Sequence, residues 1–128
     1  MNYLKQIAAL AQGREFAIFN GHEMYFYESL ELGARGIISS SANVFPAQAN
    51  ALYNAFLAAD SRVKEDCYPI FEAMHDFKSK HNDNTFGIYL LKSLLHRKNI
   101  CTPAVAMPYF YCSEQDRAIE TFCHNLHD

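Results

Sequence analysis

One stretch limits the folds open to this chain more than any other: Gly33-Ala34-Arg35-Gly36-Ile37-Ile38-Ser39-Ser40-Ser41-Ala42-Asn43-Val44-Phe45-Pro46. A glycine ends one helix, a short apolar run follows as a strand, and small polar residues lead to a proline where a new helix opens. Helix end, buried strand, polar loop and helix start together make one βα step of a parallel sheet. The polar residues then lie at the strand's C-terminal end, the edge where α/β proteins bind ligands.

The flanking sequence supports a second such step. Tyr3–Gln12 reads as a helix with Leu4, Ile7, Ala8 and Ala11 on one face and Gly13 as its left-handed cap. Glu15–Phe19 is a continuous apolar run, expected as a strand buried on both faces. Asn20-Gly21-His22-Glu23 follows as a loop, and Glu23–Leu32 has helical spacing.

Beyond Pro46 the pattern is helical. Ala47–Asp60 carries an inward stripe of Ala49, Leu52, Tyr53, Phe56 and Leu57. Ser61 to about Lys80 follows, with Val63, Cys67, Ile70, Phe71 and Met74 inward and a bend expected at Pro69. After the polar break His81–Asn84, the segment Thr85–His96 is apolar nearly all round and is expected to be buried, in this fold or against another subunit. Asn99–Cys112, with Pro103 and Pro108, reads as an extended connection. Ser113-Glu114-Gln115-Asp116 then opens a last helix with Ile119, Phe122, Cys123 and Leu126 inward. The order is α-β-α-β-α-α-α-α. Two short strands form no stable sheet alone and leave both edges open, so another segment or chain is expected to complete them.

These segments resemble a known family. Phe19-Asn20-Gly21-His22-Glu23, Leu32-Gly33-Ala34-Arg35-Gly36-Ile37-Ile38-Ser39 and Ala42-Asn43-Val44 are similar to the C-terminal third of the dihydrodipicolinate synthase / N-acetylneuraminate lyase family. Members are class I aldolase-type (β/α)8 barrels that act on pyruvate or related 2-keto acids through a lysine Schiff base. The resemblance implies an α/β fold class: a partial (β/α)8 TIM barrel (its last two βα units, residues 1–60), then a C-terminal helical extension over 61–128, mostly helical and forming one compact unit.

By the same resemblance, Gly21 would lie near the keto-acid pocket and Ile38 would pack on the pyruvate-derived methyl. Glu23 and Ser39 would contact substrate hydroxyls, and Asn43 would match a structural asparagine. The family's Schiff-base lysine belongs to the end of the sixth strand, a position that would precede Met1. Its proton-relay tyrosine and carboxylate-binding threonines lie further upstream. Where the family reads Asn-Pro-Ile-Pro, this chain has Asn84-Thr85-Phe86-Gly87.

The residues present fit that reading. Barrel catalysis uses strand ends, yet Lys5, Lys64, Lys78, Lys80, Lys92 and Lys98 all fall on predicted helices or helix ends, so no catalytic residue is expected here. No metal site is expected either. His22 and Glu23, if helical, would point about 100° apart, and His124 with His127 lacks a third ligand. Cys67, Cys101, Cys112 and Cys123 form no CxxC pair and read as reduced. Ser39-Ser40-Ser41 reads as a turn cap in preference to an anion site. The tyrosine clusters at 25–27 and 109–111 read as packing or interface surface.

Composition excludes other partners. The net charge of −3, without any Lys/Arg cluster, argues against nucleic acid, and no apolar run approaches membrane-spanning length. The expectation is a cytoplasmic protein without cofactor, inactive alone, a homo-oligomer that takes a small 2-keto acid such as pyruvate once its barrel is completed. The alternatives are a non-enzymatic self-associating module and a half-barrel completed by a separate N-terminal chain.

Overall fold

A computed structural model describes residues 2–81, 86–109 and 113–125. In order they form α1 (Asn2–Ala11), β1 (Phe19–Asn20), a 3₁₀ turn (Glu23–Tyr25), α2 (Phe26–Glu31), β2 (Gly36–Ile37), a second 3₁₀ turn (Ser41–Asn43), α3 (Pro46–Leu57), α4 (Val63–Lys80), α5 (Phe86–Arg97) and α6 (Ser113–Asn125). The described chain is thus mostly helical. It divides into two compact units, Met1–Phe71 and Glu72–Asp128. No described helix is long and apolar enough to cross a membrane.

In the first unit β1 and β2 pair in parallel, Phe19 with Gly36 and Asn20 with Ile37. The Arg35 amide donates to the Ile18 carbonyl at 2.8 Å, and the Ile38 amide to the Asn20 carbonyl at 2.8 Å. The β1–α2–β2 order expected from the sequence is present, but the strands are shorter than expected and β1 is not buried. Phe16 is 52% and Phe19 53% exposed. Among the described residues no third strand flanks the pair, so nothing extends the ladder and about half of each of those side chains stays open to solvent. The Phe19 ring does lie over Gly36, where an added Cβ would come within 3.2 Å of it. That close approach gives the glycine a packing reason.

The core lies on the other side. Phe26 and Leu30 of α2 meet Leu52 of α3 and Cys67 and Phe71 of α4, with Ile37, Tyr53 and Phe56 packed against them. The Tyr27 ring meets Phe56 edge-on at 5.5 Å. Of the predicted α3 stripe Leu52 is fully buried, whereas Leu57 is exposed because the helix stops there, three residues before the predicted end. On α1 the half-buried set includes Leu4, Ile7, Ala8 and Ala11, the predicted face, although none of its residues is fully buried.

Three helices end alike. After α2 the Gly33 amide donates to the Leu30 carbonyl and Ala34 to Ser29; after α3 Ala59 donates to Phe56 and Asp60 to Ala55; after α5 Asn99 donates to His96 and Ile100 to Leu95. Each pair is a Schellman motif, with the residue after the cap in left-handed backbone: φ is 96° at Gly33, 53° at Ala59 and 58° at Asn99.

α4 runs through Pro69, whose ring withholds the amide that would bond Glu65. Just before it, the Tyr68 hydroxyl accepts the Tyr27 amide at 3.0 Å and donates to Glu28 Oε2 at 3.1 Å. Tyr27 lies in the first turn of α2, where amides have no helical partner, so Tyr68 caps α2 from another helix. Lys64 joins the same group, its ammonium 3.4 Å from Glu28 Oε1 and 3.9 Å above the Tyr27 ring centre.

In the second unit Phe77 stacks on Phe122 at 4.3 Å, and His81 stacks on Phe86 at 4.3 Å. Ile119, Phe122 and Cys123 of α6 are buried as expected, while Leu126 lies outside the described residues. The described part of the 85–96 segment is helical but not buried all round: Phe86, Tyr89, Leu90 and Leu94 are covered, and Ile88 is 39% exposed. The buried residues of α5 are Phe86, Tyr89, Leu90, Ser93 and Leu94.

Burial pushes the Tyr68 hydroxyl pKa well above the usual tyrosine range, and the Glu28 charge adds to the rise, against the opposing pull of the Tyr27 hydrogen bond. A raised folded-state pKa means that the stabilisation is complete below the unfolded value of about 10 and falls away as pH climbs above it. Tyr68→Phe is expected to cost about 1–3 kcal/mol in urea unfolding at neutral pH, because the Tyr27 amide and Glu28 lose a partner inside the fold. The variant should also lose less stability than the parent between pH 9 and pH 11; equal losses would remove Tyr68 from the account.

Candidate functional site

Parallel pairing brings both strands' C-terminal ends to one edge, and the two polar loops meet there. Asn20 builds the first loop. Its side-chain oxygen accepts the His22 amide at 3.1 Å, and its side-chain nitrogen donates to the carbonyls of His22 at 3.0 Å and Tyr25 at 3.2 Å. An asparagine followed by Gly21 suits this turn because its short amide mimics backbone. His22 packs its ring against Tyr25 at 5.0 Å.

Serine and asparagine side chains hold the second loop. Ser39 Oγ accepts the Ala42 amide at 3.3 Å, and Asn43 Nδ2 donates to the Ser40 carbonyl at 3.1 Å. These bonds are those of a turn cap, the reading preferred from the sequence. Ser41 is fully buried, and its amide donates to Glu23 Oε1 at 3.3 Å. One carboxylate from the first loop therefore braces the second.

The structure brings the four residues singled out in the sequence to this edge. Gly21 is exposed beside β1, and Ile38 is 74% exposed directly after β2. Glu23 and Ser39 are half-buried and both engaged with the β2–α3 loop. The sequence reading missed Asn20 as the organiser of the first loop, though the Asn-Gly pair after an apolar run was its signal. It also missed the Tyr68–Glu28–Lys64 group, in which Glu28 lies 36 residues from Lys64 and 40 from Tyr68, so that no local pattern marks it.

No lysine lies on either loop. Lys5 is on α1, Lys64, Lys78 and Lys80 are on α4, Lys92 is on α5 and Lys98 directly follows it. Among the described residues no group of three His, Cys, Asp or Glu side chains could hold a metal. His127, half of the His124 pair considered from the sequence, lies outside the described residues. Cys67 and Cys123 are buried free thiols whose pKa is pushed up, chiefly by burial.

What this edge can do is present a short apolar side chain, Ile38, between two ordered polar loops. It holds no lysine amine of its own. Glu23→Ala is expected to speed hydrogen exchange of the Ser41 amide by roughly three- to tenfold, the worth of one modest hydrogen bond, without changing the Leu52 amide. An unchanged Ser41 rate, read by NMR, would show that the carboxylate does not hold the loop.

Comparison with known proteins adds the family. The chain is 35% identical over 72 residues to the 4-hydroxy-tetrahydrodipicolinate synthase of Exiguobacterium sibiricum, a match that covers 53% of this chain and 24% of that protein. The matched stretch thus spans about a quarter of that relative's length. The profile of the dihydrodipicolinate synthetase family matches residues 1–118, nearly the whole chain. With its paired βα steps and helical continuation, this chain belongs to the dihydrodipicolinate synthetase family.

Proposed function

We propose that this chain supplies the closing part of a Schiff-base keto-acid lyase of the aldolase type and does not catalyse alone. In this reading residues 1–60 are the last two βα units of a (β/α)8 barrel and residues 61–128 its helical extension. Gly21, Glu23, Ile38 and Ser39 then form part of the wall that contacts a small 2-keto acid such as pyruvate. The reactive amine comes from a different segment, either of a longer polypeptide or of a separate N-terminal chain. There the amine adds to the keto carbon, water leaves, and the imine so formed carries the reaction. The setting is cytoplasmic and the assembly a homo-oligomer.

One observation carries the proposal. The C-terminal edge of the parallel pair is ordered by Asn20, Glu23 and Ser39, as a ligand-facing edge requires, while all six lysines lie on helices or at a helix end. Incubation with pyruvate and borohydride, followed by mass spectrometry, tests it. No lysine of this chain is expected to gain the reduced adduct; an adduct on any of the six would overturn the claim that the chain is inactive alone.

The exposed rings of Phe16 and Phe19, beside Ile38, favour a second reading. An uncovered apolar sheet would drive self-association into a non-enzymatic module. Sedimentation should then show concentration-dependent dimers or larger species in the high micromolar range, and a well-behaved monomer there would dismiss this reading.

A further inference from the structure

The second unit contains an open cleft of about 530 Å³ between α5 and α6. Its two walls carry opposite charge. On α5, Ser93 and Arg97 stand one turn apart on the same face; on α6, Asp116 and Glu120 do the same, with Ile119 beside them. Arg97, in the last turn of α5, is held where the helix dipole favours a cation. The two carboxylates, four residues apart on one helix, repel each other.

Internal bonding leaves much of this chemistry unused. The Tyr89 hydroxyl donates to Asp116 and fixes that carboxylate against α5. Neither Arg97 nor Glu120 makes an ion pair among the described residues. Ser93 lines the cleft and is 7% exposed, yet its hydroxyl makes no hydrogen bond among the described residues. A buried hydroxyl without a partner is costly enough to need a reason.

We propose that this cleft binds a small zwitterion, an amino carboxylate whose carboxylate meets Arg97 and the Ser93 hydroxyl and whose ammonium lies between Asp116 and Glu120. Guanidinium pairs with carboxylate through two parallel hydrogen bonds, and a cation between the two acids relieves their repulsion. Pro103, half-buried and lining the cleft, offers the apolar contact for the carbon chain. An anion alone would face two carboxylates, and a cation alone would face Arg97, so neither half-ligand satisfies both walls. The cleft belongs to the second unit, and the proposal does not depend on the barrel reading.

NMR titration of the ¹⁵N-labelled chain with glycine and with 4-aminobutyrate tests it. The amides of Ser93, Arg97 and Glu120 should shift and saturate in the millimolar range typical of weak sites. Acetate and methylammonium, the separate halves, should bind at least about tenfold more weakly. Arg97→Gln and Glu120→Gln, both at exposed positions, should each abolish saturation while leaving the amide spectrum of residues 2–71 unchanged. Absence of shifts at tens of millimolar, equal binding of acetate, or undiminished binding by both variants would each overturn the proposal.

Discussion

The first unit depends on a hydroxyl that serves a helix other than its own. α2 is only six residues long, too short to hold itself together in water, and its first-turn amides have no partner within it. Tyr68, one full helix away in sequence, accepts one of those amides and donates to the Glu28 carboxylate in the same turn. Lys64 also pairs with Glu28, but at 3.4 Å and with both side chains partly in solvent that pair adds at most about 1 kcal/mol. The hydroxyl, half-buried and bonded twice, is the stronger tie. α2 connects β1 to β2, so holding its start anchors the connection across which the two strands keep their parallel register. That register in turn puts both polar loops at one edge.

Helix ends show how far local sequence carries a fold. Gly13 and Gly33 mark left-handed positions and were legible, since glycine adopts them without steric cost. Ala59 takes the same conformation with no such signal, so the end of α3 was placed three residues late. Asn99 does likewise after α5, where an asparagine signals the position only weakly. Faces were legible for the same reason that periodicity works: Leu4, Ile7, Ala8 and Ala11 on α1, and Ile119, Phe122 and Cys123 on α6, turn one way at helical spacing. Burial of β1 was not. Phe16 and Phe19 read as interior because they are apolar, but burial needs a covering element, and a run of residues does not say whether one is there.

The candidate site divides along the same line. Ser39 as a turn cap followed from the chemistry of serine beside a strand end, and the bond to the Ala42 amide agrees. The brace from Glu23 to Ser41 spans eighteen residues and could not be inferred from either loop alone. It gives Glu23 a part in holding the second loop as well as the substrate-facing part that the family resemblance implies. The lysines were legible because their positions on helices follow from periodicity, and all six lie away from the strand ends. An edge with ordered loops and no amine makes sense as one part of a shared pocket.

The most direct test of that division of labour is a mixing experiment. The chain would be combined with a polypeptide carrying the first six βα units of a family member, then treated with pyruvate and borohydride. Mass spectrometry of both chains should find the reduced adduct on a lysine of the added polypeptide, formed in higher yield than by that polypeptide alone, and none on Lys5, Lys64, Lys78, Lys80, Lys92 or Lys98. An adduct on one of those six lysines, or a yield unchanged by mixing, would contradict the account.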